Sequence, residues 1–246
     1  MNRRREVILD EMGLGPRWQL RTPPSVAATD AAPDQTRVDE PIAATIPIVG
    51  EGRSTAILNM DWPALKTAVA TCEACGLCKT RSNTVFGVGD EQAQWMLVGE
   101  APGAEEDARG EPFVGQAGRL LDNMLAAIDL TREKNVYIAN VLKCRPPGNR
   151  NPEPGEVAQC SPHLIRQIAL IRPKLIVAMG RFAAQTLLAS DATISSMRGR
   201  RYTYQDVPLI VTYHPAYLLR SLQDKSKAWE DLVFARRTMA SLTGSA

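Results

Sequence analysis

The chain has 246 residues, 44% hydrophobic and 23% charged, the balance of an ordinary folded protein rather than a disordered or fibrous one. No apolar run approaches the roughly 18 residues that suggest a membrane span. The basic start Arg3-Arg4-Arg5 has no apolar stretch behind it, which argues against secretion and disulfides. With 29 basic and 27 acidic residues the net charge is +2, too small by itself to imply nucleic-acid binding.

Residues 1–21 carry a short amphipathic pattern (Val7, Ile8, Met12, Leu14) that Gly13 and Gly15-Pro16 end. Residues 22–57 are rich in Pro, Ala, Thr and Asp without periodicity and read as a disordered linker. Residues 1–58 are thus expected to be an N-terminal extension, either a docking segment for a protein partner or a frayed tail. The folded domain is expected over 59–246. Asp61 is placed to cap a helix carrying Leu65, Val69 and Ala70. Apolar runs at 95–99, 136–140, 174–180 and 209–213 read as strands. Helical patterns at 118–127 (Leu120, Leu121, Met124 and Leu125 inward), 154–171, 181–189 and 224–242 alternate with them. The alternation predicts an α/β fold: three layers, α/β/α, around a central, mostly parallel four-stranded sheet.

In such sheets ligands bind beyond the carboxyl ends of the strands. The residues there are Gly99-Glu100-Ala101-Pro102-Gly103, Asn140, Gly180-Arg181 and His214-Pro215-Ala216-Tyr217. A carboxylate, a carboxamide and an imidazole are therefore expected on one rim. His214 is one of only two histidines. Basic residues cluster at Arg145/Arg150 and at Arg198/Arg200/Arg201, in Gly- or Pro-containing segments, where they meet phosphates or solvent.

The five cysteines are a separate signal. Cys72, Cys75 and Cys78 crowd one short segment, while Cys144 and Cys160 lie far downstream. Any one alone would read as a small buried hydrophobe. Together they point to a four-thiolate [4Fe–4S] cluster or a structural zinc site, with the choice of four among five left open.

The ordered segments Val85-Phe86-Gly87, Gly99-Glu100-Ala101-Pro102-Gly103 with Glu106-Asp107, Pro112-Phe113-Val114-Gly115, Tyr137-Ile138-Ala139-Asn140, Lys143-Cys144-Arg145-Pro146-Pro147 and His214-Pro215-Ala216-Tyr217-Leu218-Leu219-Arg220 resemble the family 4, iron–sulfur branch of the uracil-DNA glycosylase superfamily. The resemblance covers roughly residues 65–242 and leaves residues 1–58 outside. It implies a [4Fe–4S] cluster on Cys72, Cys75, Cys144 and Cys160, with Cys78 a bystander. It also implies repair of uracil-containing DNA by hydrolysis of the N-glycosidic bond. A monomer is expected, acting in the cytoplasm in bacterial nucleoid-associated repair, with no membrane partner.

Within that resemblance Gly99 and Ala101 contact the base, and Phe113 stacks on it once it leaves the helix. Asn140 pairs with uracil O4 and N3–H, contacts that cytosine fails. His214 donates to uracil O2 as charge develops there, as a neutral or a charged ring. Glu100 is base, water-positioner or structural, with Glu106 and Asn149 as further groups for water or sugar. Leu218 and Leu219 wedge into the stack or pack a helix start. Arg198, Arg200 and Arg220 contact phosphates, or the Arg198–Arg201 group instead starts a hairpin-like excursion. No lysine is evident for Schiff-base lyase chemistry. Two other classes compete: a redox-sensing iron–sulfur protein, which would need no Asn140 or His214 rim, and a non-catalytic binder of uracil-containing DNA.

Overall fold

The computed structural model describes residues 51–244. The short helix read at 1–21 and the linker over 22–50 lie outside the described residues.

Four strands form the centre: β2 (Trp95–Gly99), β3 (Val136–Asn140), β4 (Leu175–Met179) and β6 (Val207–Thr212). They are mutually parallel in the order β3-β2-β4-β6. Every residue of β2, β3 and β4 is buried, as expected of strands covered on both faces. Two edge strands make the sheet six-stranded rather than four-stranded: β1 (Val88–Gly89) runs antiparallel to β3, and β5 (Arg201–Tyr204) antiparallel to β6. The hairpin-like excursion expected as an alternative at Arg198–Arg201 corresponds to β5 and its turn into β6, whereas β1 is not among the expected strands. β1 has two residues, and β5 is half-exposed, with arginine at its start.

Alternate side chains of the strands feed two cores. Met96, Val98, Ala139, Ile176, Ala178 and Val211 pack under α5 (Pro154–Ile171) and α6 (Arg181–Leu188). Leu97, Ile138, Val177 and Ile210 pack under α4 (Gln116–Ala126) and α9 (Lys225–Thr243). The α/β/α layering is therefore present.

A correction concerns the domain boundary. Helix α1 (Glu51–Leu58) lies within the segment read as linker, packs on α5 and buries Ser54 and Ile57. With Ile57 as its one buried apolar residue among those described, the helix left too little pattern to read. The next helix, α2 (Trp62–Ala70), starts at Asp61, whose Oδ1 accepts the Ala64 N–H at 2.9 Å. Among the described residues no helix is long and apolar enough to cross a membrane.

Candidate active site and cysteine cavity

The C-terminal ends of β2, β3, β4 and β6 open into a cleft of about 800 Å³. Beyond β2 the chain stays tied to β3: Gly99 and Glu100 carbonyls accept the Val141 and Leu142 N–H groups at 3.0 and 3.1 Å. Glu100 thereby projects from a fixed backbone into the cleft, where burial lifts its carboxyl pKa against the opposing charge of Arg181. Its carboxylate has no hydrogen-bond partner among the described residues.

Glu106 is a different case. It lies on α3 (Ala104–Arg109). Its Oε2 accepts the Gly103 N–H at 3.1 Å, and its Oε1 accepts the Val114 and Gly115 N–H groups at 3.0 and 3.4 Å. Arg132 holds the same loop by its carbonyls, donating to Pro112 at 3.0 Å and to Phe113 at 2.6 Å. Held from both sides, Phe113 takes a left-handed backbone (φ 55°). Gly118 is required beneath it, because a Cβ there would lie 1.7 Å from the Phe113 carbonyl oxygen.

Asn140 ends β3, 2% exposed, with its Oδ1 buried and without a hydrogen-bond partner among the described residues. Gly99 leaves it room, since a Cβ would stand 2.4 Å from that Oδ1 and 2.7 Å from the Phe113 ring. Beneath the floor the buried Lys143 ammonium donates to the Asn140 carbonyl at 2.9 Å and to Gln167 at 2.7 Å. No lysine is among the described residues that line the cleft.

His214 caps α8 (Pro215–Leu218): its Nδ1 accepts the Ala216 N–H at 3.1 Å. The remaining ring proton is therefore on Nε2. Burial pulls the pKa down to about 4, with Glu106 opposing and Arg220 adding to the shift. The ring is a neutral Nε2–H donor at neutral pH, which resolves the choice that the sequence left open. Gly180 (φ 93°) accommodates it, because a Cβ there would come within 2.8 Å of the His214 Cβ.

Four of the five cysteines, Cys72, Cys75, Cys144 and Cys160, line a second, smaller cavity with Val69, Leu77 and Leu142. Cys78 is not among the residues that line it. Donors point at the sulfurs: Arg81 Nη1 to Cys144 at 3.0 Å, the Lys143 N–H to Cys160 at 3.3 Å and Arg53 Nη2 to Cys72 at 3.5 Å. Among the described residues no three Cys, His, Asp or Glu side chains gather closely enough to hold one metal ion. The thiols stand around a space instead.

The family model described as Uracil DNA glycosylase superfamily matches residues 86–233. The chain belongs to the uracil DNA glycosylase superfamily. Its relatives include the Type-4 uracil-DNA glycosylase of Archaeoglobus fulgidus, 51% identical over 159 residues, 61% of this chain and 79% of that protein. The Type-4 enzyme of Sulfurisphaera tokodaii is 44% identical over 163 residues, 63% of this chain and 74% of that protein. That of Pyrobaculum aerophilum is 40% identical over 181 residues, 70% of this chain and 92% of that protein.

The uracil DNA glycosylase fold brings Glu100, Ala101, Glu106, Phe113, Asn140, Asn149, His214 and Arg220 to one cleft. Gly99 lies just beneath. Asn149 sits in a left-handed turn (φ 56°) with its Oδ1 accepting from Arg145 Nε at 2.8 Å. Two expectations are corrected. Arg198 is not available to a phosphate: it pairs with the buried Asp231 at 2.8 Å and lies over the Tyr213 ring at 5.1 Å. Leu218 is 1% exposed and packs with Tyr213 and Ala228, whereas Leu219 is 39% exposed. Arg200 and Arg220 are exposed as expected. Arg181, on the rim beside Glu100, was visible in sequence only as a strand-end residue. The Tyr213–Tyr217 stack (5.2 Å between centroids) left no sequence signal of its own. Tyr217 donates to Asp224 at 2.6 Å and so braces the segment that carries His214.

Proposed function

We propose that this chain hydrolyses the N-glycosidic bond of uracil in DNA, releasing uracil and leaving an abasic site for base excision repair. The observation that carries the reading is the buried Asn140 Oδ1 at the floor of the cleft, which has no donor among the described residues. A buried acceptor left unmet costs about 1–3 kcal/mol, and the uracil N3–H supplies the missing donor. The amide nitrogen of the same side chain meets O4, so cytosine is mismatched at both atoms.

Phe113 offers a face to the flipped base, and the His214 Nε2–H donates to O2. As the N1–C1′ bond breaks, its electron pair moves into the uracil ring, and a donor fixed at O2 stabilises that charge without reorganising. Water forms the new bond to C1′ and passes a proton to Glu100, the cleft carboxylate with no hydrogen-bond partner among the described residues. Glu106 positions the Phe113 loop and is not assigned a proton. With no lysine among the described lining residues, water is the nucleophile. Arg181, Arg200 and Arg220 meet the phosphates, and Leu219 fills the gap left in the stack.

The cysteine cavity fits a [4Fe–4S] cluster held by Cys72, Cys75, Cys144 and Cys160: four thiols surround one space, and three of them receive N–H donors. Bound there, the cluster supplies cross-linking rather than turnover chemistry, tying the 72–75 loop to the segment after β3 and to α5.

The test is excision from a uracil-containing oligonucleotide beside a thymine control, using anaerobically purified protein and alkali to cut abasic sites. Scission confined to uracil, and its loss in Asn140→Leu, supports the reading. Scission that survives Asn140→Leu, or none from iron-loaded protein, overturns it.

A further inference from the structure

One more group on the wall of the cysteine cavity has unused hydrogen-bonding capacity. His163 follows Cys160 by one turn of α5, is 1% exposed and lines the cavity. Its Nε2 lies 3.1 Å from Arg53 Nη2. A guanidinium only donates, so Nε2 accepts and the ring proton resides on Nδ1. Burial, reinforced by the charges of Arg53 and Lys143, pulls the pKa to about 3 and keeps the ring neutral. The Nδ1–H is nevertheless buried and meets no acceptor among the described residues. Such orphaned donors are rare and require a partner or an explanation.

Arg53 is itself fixed. It donates to the Gln159 carbonyl at 2.9 Å and to the Cys72 sulfur at 3.5 Å. It comes from α1, which precedes the family match at residues 86–233. We propose that His163 donates an Nδ1–H···S hydrogen bond to the iron–sulfur cluster, and that Arg53 of α1 fixes the tautomer that makes this bond. The inference rests on the reading of the cavity as a cluster site. His163 and Arg53 are positioning residues for the cluster, and α1 becomes part of its shell.

Hydrogen bonds to cluster sulfurs stabilise the more negative, reduced state and raise the reduction potential. The experiment uses the full chain, purified anaerobically, with iron and sulfide counted, the midpoint potential titrated and the rate of cluster loss to a chelator followed by visible absorbance. H163L and H163Q should shift the midpoint to more negative values and lose the cluster several-fold faster. H163N should hold close to the wild-type values, because its amide nitrogen occupies the place of Nδ1. R53M should shift the potential in the direction of H163L. If H163L does not fold, the contrast between H163N and H163Q decides. Iron-loaded H163Q with wild-type potential and loss rate overturns the inference. Wild-type protein without iron overturns the cluster reading itself.

Discussion

Phe113 and His214 lie ring against ring, 5.4 Å between centroids and 30° between planes. The stacking surface and the leaving-group donor are thus mutual packing partners, although one comes from the loop between α3 and α4 and the other from the end of β6. Phe113→Ala removes the surface and loosens the donor. Uracil excision should fall about 5- to 150-fold, the equivalent of about 1–3 kcal/mol of base stacking, in single-turnover assays. Unchanged excision would mean that the base stacks elsewhere.

Glu100 and Glu106 should separate cleanly. Glu106→Gln loses an acceptor that serves backbone N–H groups on two loops, and stability should drop by about 1–3 kcal/mol. Glu100→Gln touches no such bond. It should keep the wild-type melting temperature and lose about 100-fold or more in turnover. Thermal denaturation and kcat on the same two proteins settle the assignment, and a Glu100→Gln protein with normal kcat would remove its catalytic role.

The pH dependence follows from His214. Its folded pKa of about 4 lies below the unfolded value of about 6.5, so the unfolded state binds more protons between the two. The contribution to stability is full above about pH 6.5 and is lost as pH falls through about 4. A neutral donor predicts that His214 adds no acid limb to kcat/KM until pH falls toward about 4, while burial makes Glu100 protonate at higher pH than an ordinary carboxyl. The profile of kcat/KM, read with ring NMR of His214, checks this. An acid limb centred near 6.5 that tracks the His214 ring would contradict it.

Arg198 and Arg220 should fail in different ways. Arg198→Met strands the buried Asp231 carboxylate and should cost about 3 kcal/mol or more of stability, with the salt dependence of DNA binding intact. Arg220→Ala should leave stability unchanged and reduce the slope of log K against log salt by about 1. Equal salt slopes in wild type and Arg220→Ala would take Arg220 off the DNA surface.

Leu218→Ala should destabilise by about 2–5 kcal/mol, as a core truncation does. Leu219→Ala should stay within about 0.5 kcal/mol of wild type and slow excision from duplex DNA but not from single strands. Equal losses on both substrates would argue against a wedge at Leu219.

The four central strands were legible because strands buried on both faces read as continuous apolar runs. The expectations at 95–99 and 136–140 coincide with β2 and β3. The edge strands and α1 carry no such pattern: β1 is fixed by β3 and α1 by α5, both distant in the chain, while β5 is fixed by β6 across the two-residue turn at Gln205 and Asp206. The same limit governs the site. Asn140, Phe113 and His214 could be placed from strand ends and motifs. What separates Arg198 from Arg200 is an aspartate 33 positions away, and what separates Leu218 from Leu219 is one step around a helix. Composition holds neither distinction.

The backbone of the loop that presents Phe113 is gripped through its peptide groups, with Glu106 on the amides and Arg132 on the carbonyls. Holding and reading are thereby divided between different residues. The aromatic side chain can be exchanged while its platform stays in place, so the stacking surface for the base can be tuned at position 113 without rebuilding the loop, at the cost of the ring contact with His214.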